Sequence, residues 1–289
     1  MTNILMKWHA IKQVTRMDKP IGTYLLLWPT YWALWIASDG FPEPLILIIF
    51  SVGVFIMRSA GCVINDVADR KVDGLVKRTQ QRPLVSGMMT SQQALILFGF
   101  LIGVAFALVV QLSWFTIQLS VVALILAASY PFMKRFTHLP QVVLGAAFSW
   151  GMIMAFAEIE GRIPLVAWLL FLANLVWTVA YDTMYAMVDR DDDLRIGVKS
   201  TAILFGQHDK KIVGFLQLFT LGLLFTVGEL MAFGWPYQLS IVIGAGIFCY
   251  QQMLIVNRDR DTCFKAFLNN HFFGMVIFLG VFIEYISVY

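Results

Sequence analysis

The stretch Asn65-Asp66-Val67-Ala68-Asp69-Arg70-Lys71-Val72-Asp73 follows directly on a long apolar run. A helix continued through it places Asn65, Asp69 and Asp73 at i, i+4 and i+8, on one face and one turn apart. Three oxygen-bearing side chains in a row suit a hard divalent cation such as Mg²⁺ better than a soft metal. The pattern returns about 120 residues further on. There Tyr185, Asp189 and Asp193 again sit at i, i+4 and i+8, and again close an apolar run. Both copies read Asp-Arg-x-x-Asp, as Asp69-Arg70-x-x-Asp73 and Asp189-Arg190-x-x-Asp193. Two acidic ladders at matching ends of two apolar helices point to one shared site. Carboxylates so gathered repel one another unless bound cations relieve them. Mg²⁺ is commonly completed by substrate phosphates, so the ladders predict a phosphorylated ligand bridging them. A lone carboxylate beyond a membrane helix is ordinarily just solvated; the repeat is what argues otherwise.

The elements that must hold these ladders are membrane helices. Of 289 residues 59% are hydrophobic and only 13% charged, about half the charged share of a soluble domain. The mean hydropathy is +0.75. A net charge of +3 gives no footprint for nucleic acid. Cys62, Cys249 and Cys263 lack metal-ligand or redox spacing, as do the four histidines. Nine apolar segments are long enough to expect as spans: 21–38, 44–64, 94–111, 114–133, 141–158, 164–187, 212–233, 237–256 and 266–286. None alternates in polarity like a barrel strand. The expected fold is therefore an all-α polytopic membrane protein, with residues 1–289 as one domain.

Basic residues sort by side. The N-terminal tail and the connections after the second, fourth, sixth and eighth segments hold nearly all of them, while the opposite connections hold only Arg162. The positive-inside rule then puts the N-terminus and both ladders on the cytoplasmic side. The first 19 residues carry no cleavable signal pattern, so the first span is expected to direct insertion, into a bacterial inner membrane. The connections after the second and sixth segments, 65–93 and 188–211, are the long ones and read as functional loops. Ser91-Gln92-Gln93 reads as the start of the next helix.

A phosphorylated ligand also needs cations. Lys77, Arg78 and Arg82 follow the first ladder, Lys199 follows the second, and Lys134 and Arg135 close the fourth segment one turn after Tyr130. For Arg78, Arg82 and Lys134, topology alone accounts for the charge as well as ligand binding does; for Lys210, Lys211, Arg258 and Arg260 topology is preferred. Arg58 stands apart. It lies inside the second span, two turns before Asn65 on the same face, where an ionisable residue is expensive and a functional candidate by default. It reads either as a partner of a carboxylate such as Asp182 or as a receptor for a substrate anion.

These residues resemble the UbiA superfamily of intramembrane aromatic prenyltransferases. The resemblance covers essentially the whole chain. It rests on Arg16-Met-Asp-Lys-Pro-Ile-Gly22, on the run Met57 to Asp73, and on Lys77-Arg-Thr-Gln-Gln-Arg-Pro-Leu84. It rests also on Tyr130-Pro-Phe-Met-Lys-Arg135, on the run Tyr181 to Asp193, and on Lys199-Ser-Thr201. The Arg58-Ser-Ala-Gly-Cys62 run and the Asp18-Lys-Pro-Ile-Gly22 start look like the 4-hydroxybenzoate branch. The resemblance implies nine transmembrane helices around a central cavity, under a cytoplasmic cap. It implies that a polyprenyl diphosphate, clamped by Mg²⁺, ionises to an allylic cation that alkylates 4-hydroxybenzoate ortho to its hydroxyl, as in ubiquinone biosynthesis. In that scheme Asn65, Asp69 and Asp73 hold one Mg²⁺, and Asp189 and Asp193 a second. Asp66 and Asp182 orient ligands or bind ions through water. Lys77, Arg78, Arg82, Lys134 and Lys199 contact diphosphate. Arg58 or Arg135 receives the carboxylate, and Tyr130, Tyr181 and Tyr185 line the cavity.

Two other readings stay open on sequence. The same motifs serve acceptors such as haem, dihydroxynaphthoate or homogentisate. A divalent-cation transporter also carries membrane carboxylates, but near the midplane and often in inverted repeats; here both ladders lie on one side in a parallel relation. The Asp-Gly-x-x-Ala-Arg start of a CDP-alcohol phosphotransferase is absent.

Overall fold

The computed structural model describes residues 2–76 and 78–287, with side chains from residue 8 onward. All regular elements among them are helical: α1 (Thr2–Val14), α2 (Ile21–Ala37), α3 (Pro44–Asp69), α4 (Ser91–Val109), α5 (Trp114–Phe136), α6 (Pro140–Glu160), α7 (Leu165–Ile196), α8 (Thr201–Phe205), α9 (Asp209–Leu230), α10 (Trp235–Leu254) and α11 (Arg260–Ser287). Each of the nine expected apolar segments is helical. Among the described residues seven stretches are long and apolar enough to cross a membrane: α3 to α7, the α8–α9 stretch and α11. The protein is an integral, multi-pass membrane protein. α2 has only 17 residues, and α10 is diluted by Gln238, Gln251 and Gln252.

Local signals set the boundaries. Pro44, Pro140 and Pro236 sit in first turns, where the missing N–H costs nothing. Thr90 and Gln93 form a reciprocal capping box at the start of α4, which opens at Ser91 as expected. Nothing between the sixth apolar segment and Gly197 breaks a helix. α7 therefore runs to Ile196 and stops where Gly197 adopts φ +73°, a conformation only glycine takes without strain.

α7 is the central post. Trp177, Tyr181 and Met184 on it are fully buried, and it packs on α6, α9 and α11. Since lipid is as apolar as leucine, polar links and close fit hold such helices together. Trp32 Nε1 donates to Gly274 O at 2.9 Å and Trp177 Nε1 to Asn270 Oδ1 at 2.8 Å, joining α2, α7 and α11. Gln217, Gln251, Gln252 and Asn269 form a chain of amide hydrogen bonds across α9, α10 and α11. By contrast α4 and α5 turn Ile96, Phe100, Val121 and Ile125 outward, each more than half exposed. A second, smaller core packs Ala10 and Val14 of α1 on Val63, Met89 and Ala94, so α1 lies over the end of the bundle where α3 closes.

Candidate active site

α3 carries Arg58, Asn65, Asp66 and Asp69, and ends there. The expected helical continuation to Asp73 does not occur. Val72 N donates to Asp69 O at 2.8 Å, closing a turn, and Asp73 opens a 3-10 turn with Gly74 and Leu75. Asp73 returns to the cluster through the following loop instead. Arg82 Nη1 bridges Asp73 Oδ2 at 2.7 Å and Asp66 Oδ1 at 3.0 Å. Arg16 Nη2 meets both oxygens of Asp66, at 2.8 and 3.0 Å. Lys134, at the end of α5, pairs with Asp69.

The second ladder stays on one helix, since Tyr185, Asp189 and Asp193 all lie in α7. Arg78 Nε donates to Asp189 Oδ2 at 3.1 Å, and its guanidinium carbon sits 4.5 Å from the centre of the Tyr185 ring. Asp193 has no side-chain partner among the described residues. One loop thus sends Arg78 to the second motif and Arg82 to the first. Burial pushes the Asp73 carboxyl above its ordinary range, against the pull of Arg82. Burial works to lower Arg78; Tyr185 and Asp189 outweigh it and hold the guanidinium above its usual value. Both arginines are therefore fixed positive charges.

Beneath the cluster lies a cavity of ≈ 920 Å³. Its wall includes Arg58, Asn65, Asp66, Arg78, Arg82, Tyr130, Tyr181, Asp182, Tyr185 and Asp189. Asp69, Asp73 and Asp193 stand outside that wall, with Asp69 and Asp73 buried behind Lys134 and Arg82. The structure does not bring Arg135 and Lys199 to the cavity. Arg135 is exposed and donates to Ala68 O at 2.8 Å, and Lys199 Nζ reaches Phe136 O at 3.3 Å. Lys77 lies outside the described residues. Arg58 forms no ion pair with Asp182 or any other described carboxylate. Its Nε is buried without a hydrogen-bond partner, and its guanidinium carbon lies 5.9 Å from the Phe148 ring centre.

Sequence reasoning missed several members. Arg16 drew attention only through its motif. Asp209 is fully buried and takes Arg190 at 3.0 Å and Arg258 at 2.7 Å. Arg260 meets Asp192 at 3.0 Å and Asp191 at 3.5 Å. Arg258 and Arg260, expected as topology anchors, are structural partners of acids. Basic residues beside a membrane have a ready topological reason, and their partners are remote in sequence, so spacing gave no signal.

The donor set suits a hard divalent cation, being carboxylate and amide oxygen throughout. Asp69 Oδ1 is buried with no hydrogen-bond partner, an oxygen open to a cation. Among the described residues no three His, Cys, Asp or Glu side chains converge on a metal position; the acids are held by cations instead. The four paired aspartates, Asp66, Asp69, Asp73 and Asp189, face the four cations Arg16, Arg78, Arg82 and Lys134. The cluster is close to neutral, so an incoming polyanion gains little from it unless it brings cations of its own.

An all-helical bundle with two paired acidic motifs over a membrane cavity defines a class, and the comparisons agree with it. Residues 26–277 match the model of the UbiA prenyltransferase family, and this chain belongs to that family. It is 72% identical over 283 residues to a 4-hydroxybenzoate octaprenyltransferase of Colwellia psychrerythraea, covering 98% of this chain and 99% of that one. It is 59% identical to the Yersinia enterocolitica protein of the same name, over 97% of both. The fold matches a UbiA homolog from Aeropyrum pernix at TM-score 0.80 and 23% identity, over 90% of this chain and 97% of that one. It also matches one from Archaeoglobus fulgidus bound to GPP and Mg²⁺, at TM-score 0.72 and 17% identity, over 96% and 99%.

Proposed function

We propose that this protein transfers a polyprenyl group from its diphosphate to carbon 3 of 4-hydroxybenzoate. The observation that carries the reading is the interlocked set of aspartates and cations at one end of a membrane cavity, with Arg58 unpaired in the cavity wall. The high identity to proteins named for this reaction supports the acceptor, and octaprenyl is the chain those names carry. Asn65, Asp69 and Asp73 would hold one Mg²⁺, and Asp189 and Asp193 another. Held there, Mg²⁺ would supply positive charge to the departing diphosphate. Arg78, Arg82 and Lys134 would meet diphosphate oxygens, whose charge grows as the prenyl C–O bond breaks. Asp66 stays with Arg16 and Arg82 and orients them, and Asp182 faces the acceptor side. The rings of Tyr130, Tyr181 and Tyr185 face the allylic cation. The surrounding helices keep out water that would capture it.

Arg58, rather than Arg135, receives the benzoate carboxylate. It is the one of the two in the cavity wall. Ring attack then occurs ortho to the phenol, and the departed diphosphate can take the ring proton as aromaticity returns. The chain forms one domain of nine spans, α2 to α7 and α9 to α11, in a bacterial inner membrane. The loops after α3 and α7 cap the site on the cytoplasmic side, where the basic residues concentrate.

The test is transfer by purified protein in detergent or liposomes, with 4-hydroxybenzoate and a short-chain prenyl diphosphate. Expected is 3-prenyl-4-hydroxybenzoate with Mg²⁺ and none with EDTA. Product only with another aromatic overturns the acceptor. Metal flux into liposomes and no product with any acceptor overturns the enzyme reading in favour of a transporter.

A further inference from the structure

A glycine in the first turn of α2 decides where the Arg58 guanidinium can lie. A Cβ on Gly22 would stand 2.2 Å from Arg58 Nε, 2.4 Å from Nη2 and 2.6 Å from Cζ. Those separations are far inside van der Waals contact, so the guanidinium and a side chain at position 22 exclude each other. Backbone freedom does not account for this glycine, because Gly22 is helical and has no left-handed φ. A glycine in a helix costs roughly 0.5–1 kcal/mol against alanine, so its place here needs another reason. The contact supplies one. The guanidinium is bounded by the Gly22 backbone and by the Phe148 ring, and all three residues belong to the cavity wall. Arg58 itself is half-buried, lacks a carboxylate partner among the described residues, and leaves its buried Nε without an acceptor.

We propose that Gly22 is a positioning residue for the acceptor: its missing side chain lets the Nε/Nη2 edge of Arg58 close against α2 and turns the rest of the guanidinium to the substrate carboxylate. The proposal rests on Arg58 as carboxylate receptor and extends it to a residue on another helix. All the clashing atoms are the far end of a flexible side chain. Gly22→Ala therefore moves the guanidinium and leaves the backbone in place, and the folded protein survives.

The test is steady-state kinetics of Gly22→Ala in the full-length protein, varying each substrate in turn. The KM for 4-hydroxybenzoate should rise on the order of tenfold, the loss of one charge-assisted hydrogen bond. The KM for prenyl diphosphate and kcat at saturating acceptor should stay within about twofold. The melting temperature should hold or rise, because alanine is the better helix former. A merely structural role would lower the melting temperature and disturb both substrates. The second arm places Gly22→Ala on Arg58→Lys, whose ammonium has no Nε or Nη2 for the methyl to displace. There the alanine should add nothing to the acceptor KM. An unchanged acceptor KM in Gly22→Ala, or equal effects in both backgrounds, overturns the positioning role. A wild-type protein that transfers nothing to 4-hydroxybenzoate overturns the acceptor reading and this subsite together, and the wild-type control separates the two cases.

Discussion

Each cation at the cluster is already spoken for by an acid: Arg82 by Asp66 and Asp73, Arg78 by Asp189, Lys134 by Asp69. On the proposed reading, binding a metal–diphosphate complex is an exchange of partners. Two consequences separate metal binding from anion binding. Asp69→Ala and Asp189→Ala should each lower turnover by on the order of 10²–10³-fold or more, the scale of losing a transition-state electrostatic contact, while the protein still inserts. Near-normal turnover in both would remove the two-motif model. Asp189→Asn makes a sharper case. It removes a proposed metal ligand and at once frees Arg78, which keeps its charge. With EDTA present, this variant should bind a prenyl diphosphate more tightly than wild type, yet fail to turn it over with Mg²⁺. Equilibrium binding of a fluorescent prenyl diphosphate checks the first half and the transfer assay the second. Weaker metal-free binding than wild type would mean that Arg78 is not held back by Asp189.

The helices were legible wherever hydropathy and punctuation agreed, as at Ser91, where α4 opens. They were less so where polar sequence follows an apolar run. α3 stops at Asp69 and α7 continues to Ile196 although both run into similar acidic stretches. What decides is tertiary. Beyond Asp69 the chain turns so that Arg78 and Arg82 reach across the site, whereas the end of α7 is clasped from the side by Arg190, Arg258 and Arg260 with their acids. The first motif could thus be located in the sequence, but its geometry could not. Asp209 carries the clasp. It ties α7 to α9 and to the α10–α11 connection, where Arg258 is held at φ +60°. Asp209→Asn leaves two guanidinium groups facing a neutral amide. Removing one partner of a fully buried pair costs about 3–5 kcal/mol; the Arg258 side chain is 31% exposed, so a loss of about 2–3 kcal/mol is expected here. The melting temperature in detergent should fall by several degrees. The apparent Mg²⁺ requirement should also rise, because Asp189 and Asp193 ride on the same end of α7. An unchanged melting temperature would show that the clasp does not hold the fold.

Across the whole molecule the two motifs reflect a repeated plan of four helices. α2 to α5 form one run, and α6, α7, α9 and α10 the next, with the aspartate motif at the end of the second helix each time. α11 then stands where a third run would begin. The far end of the bundle shows the same relation in its hydrogen bonds. Glu158 Oε2, near the end of α6, accepts from Ser113 N in the α4–α5 turn at 2.8 Å. Glu284 Oε1, near the end of α11, accepts from Gly234 N in the α9–α10 turn at 2.7 Å. Each time, the helix after a run ties the run's last turn with a glutamate. Neither glutamate offered a role in the sequence, because a carboxylate that accepts one backbone N–H leaves no spacing pattern. The two ties differ in setting: the Glu158 bond is exposed and the Glu284 bond partly buried. Removing an acceptor costs more where water cannot replace it. Glu284→Ala should therefore lower the melting temperature by more than Glu158→Ala does, and both should leave the KM of each substrate near wild type, since the aspartate cluster is at the opposite end. Equal small shifts would reduce the two ties to surface contacts. A changed acceptor KM in either variant would mean that the far turns are coupled to the cavity and that the bundle does not behave as two independently anchored ends.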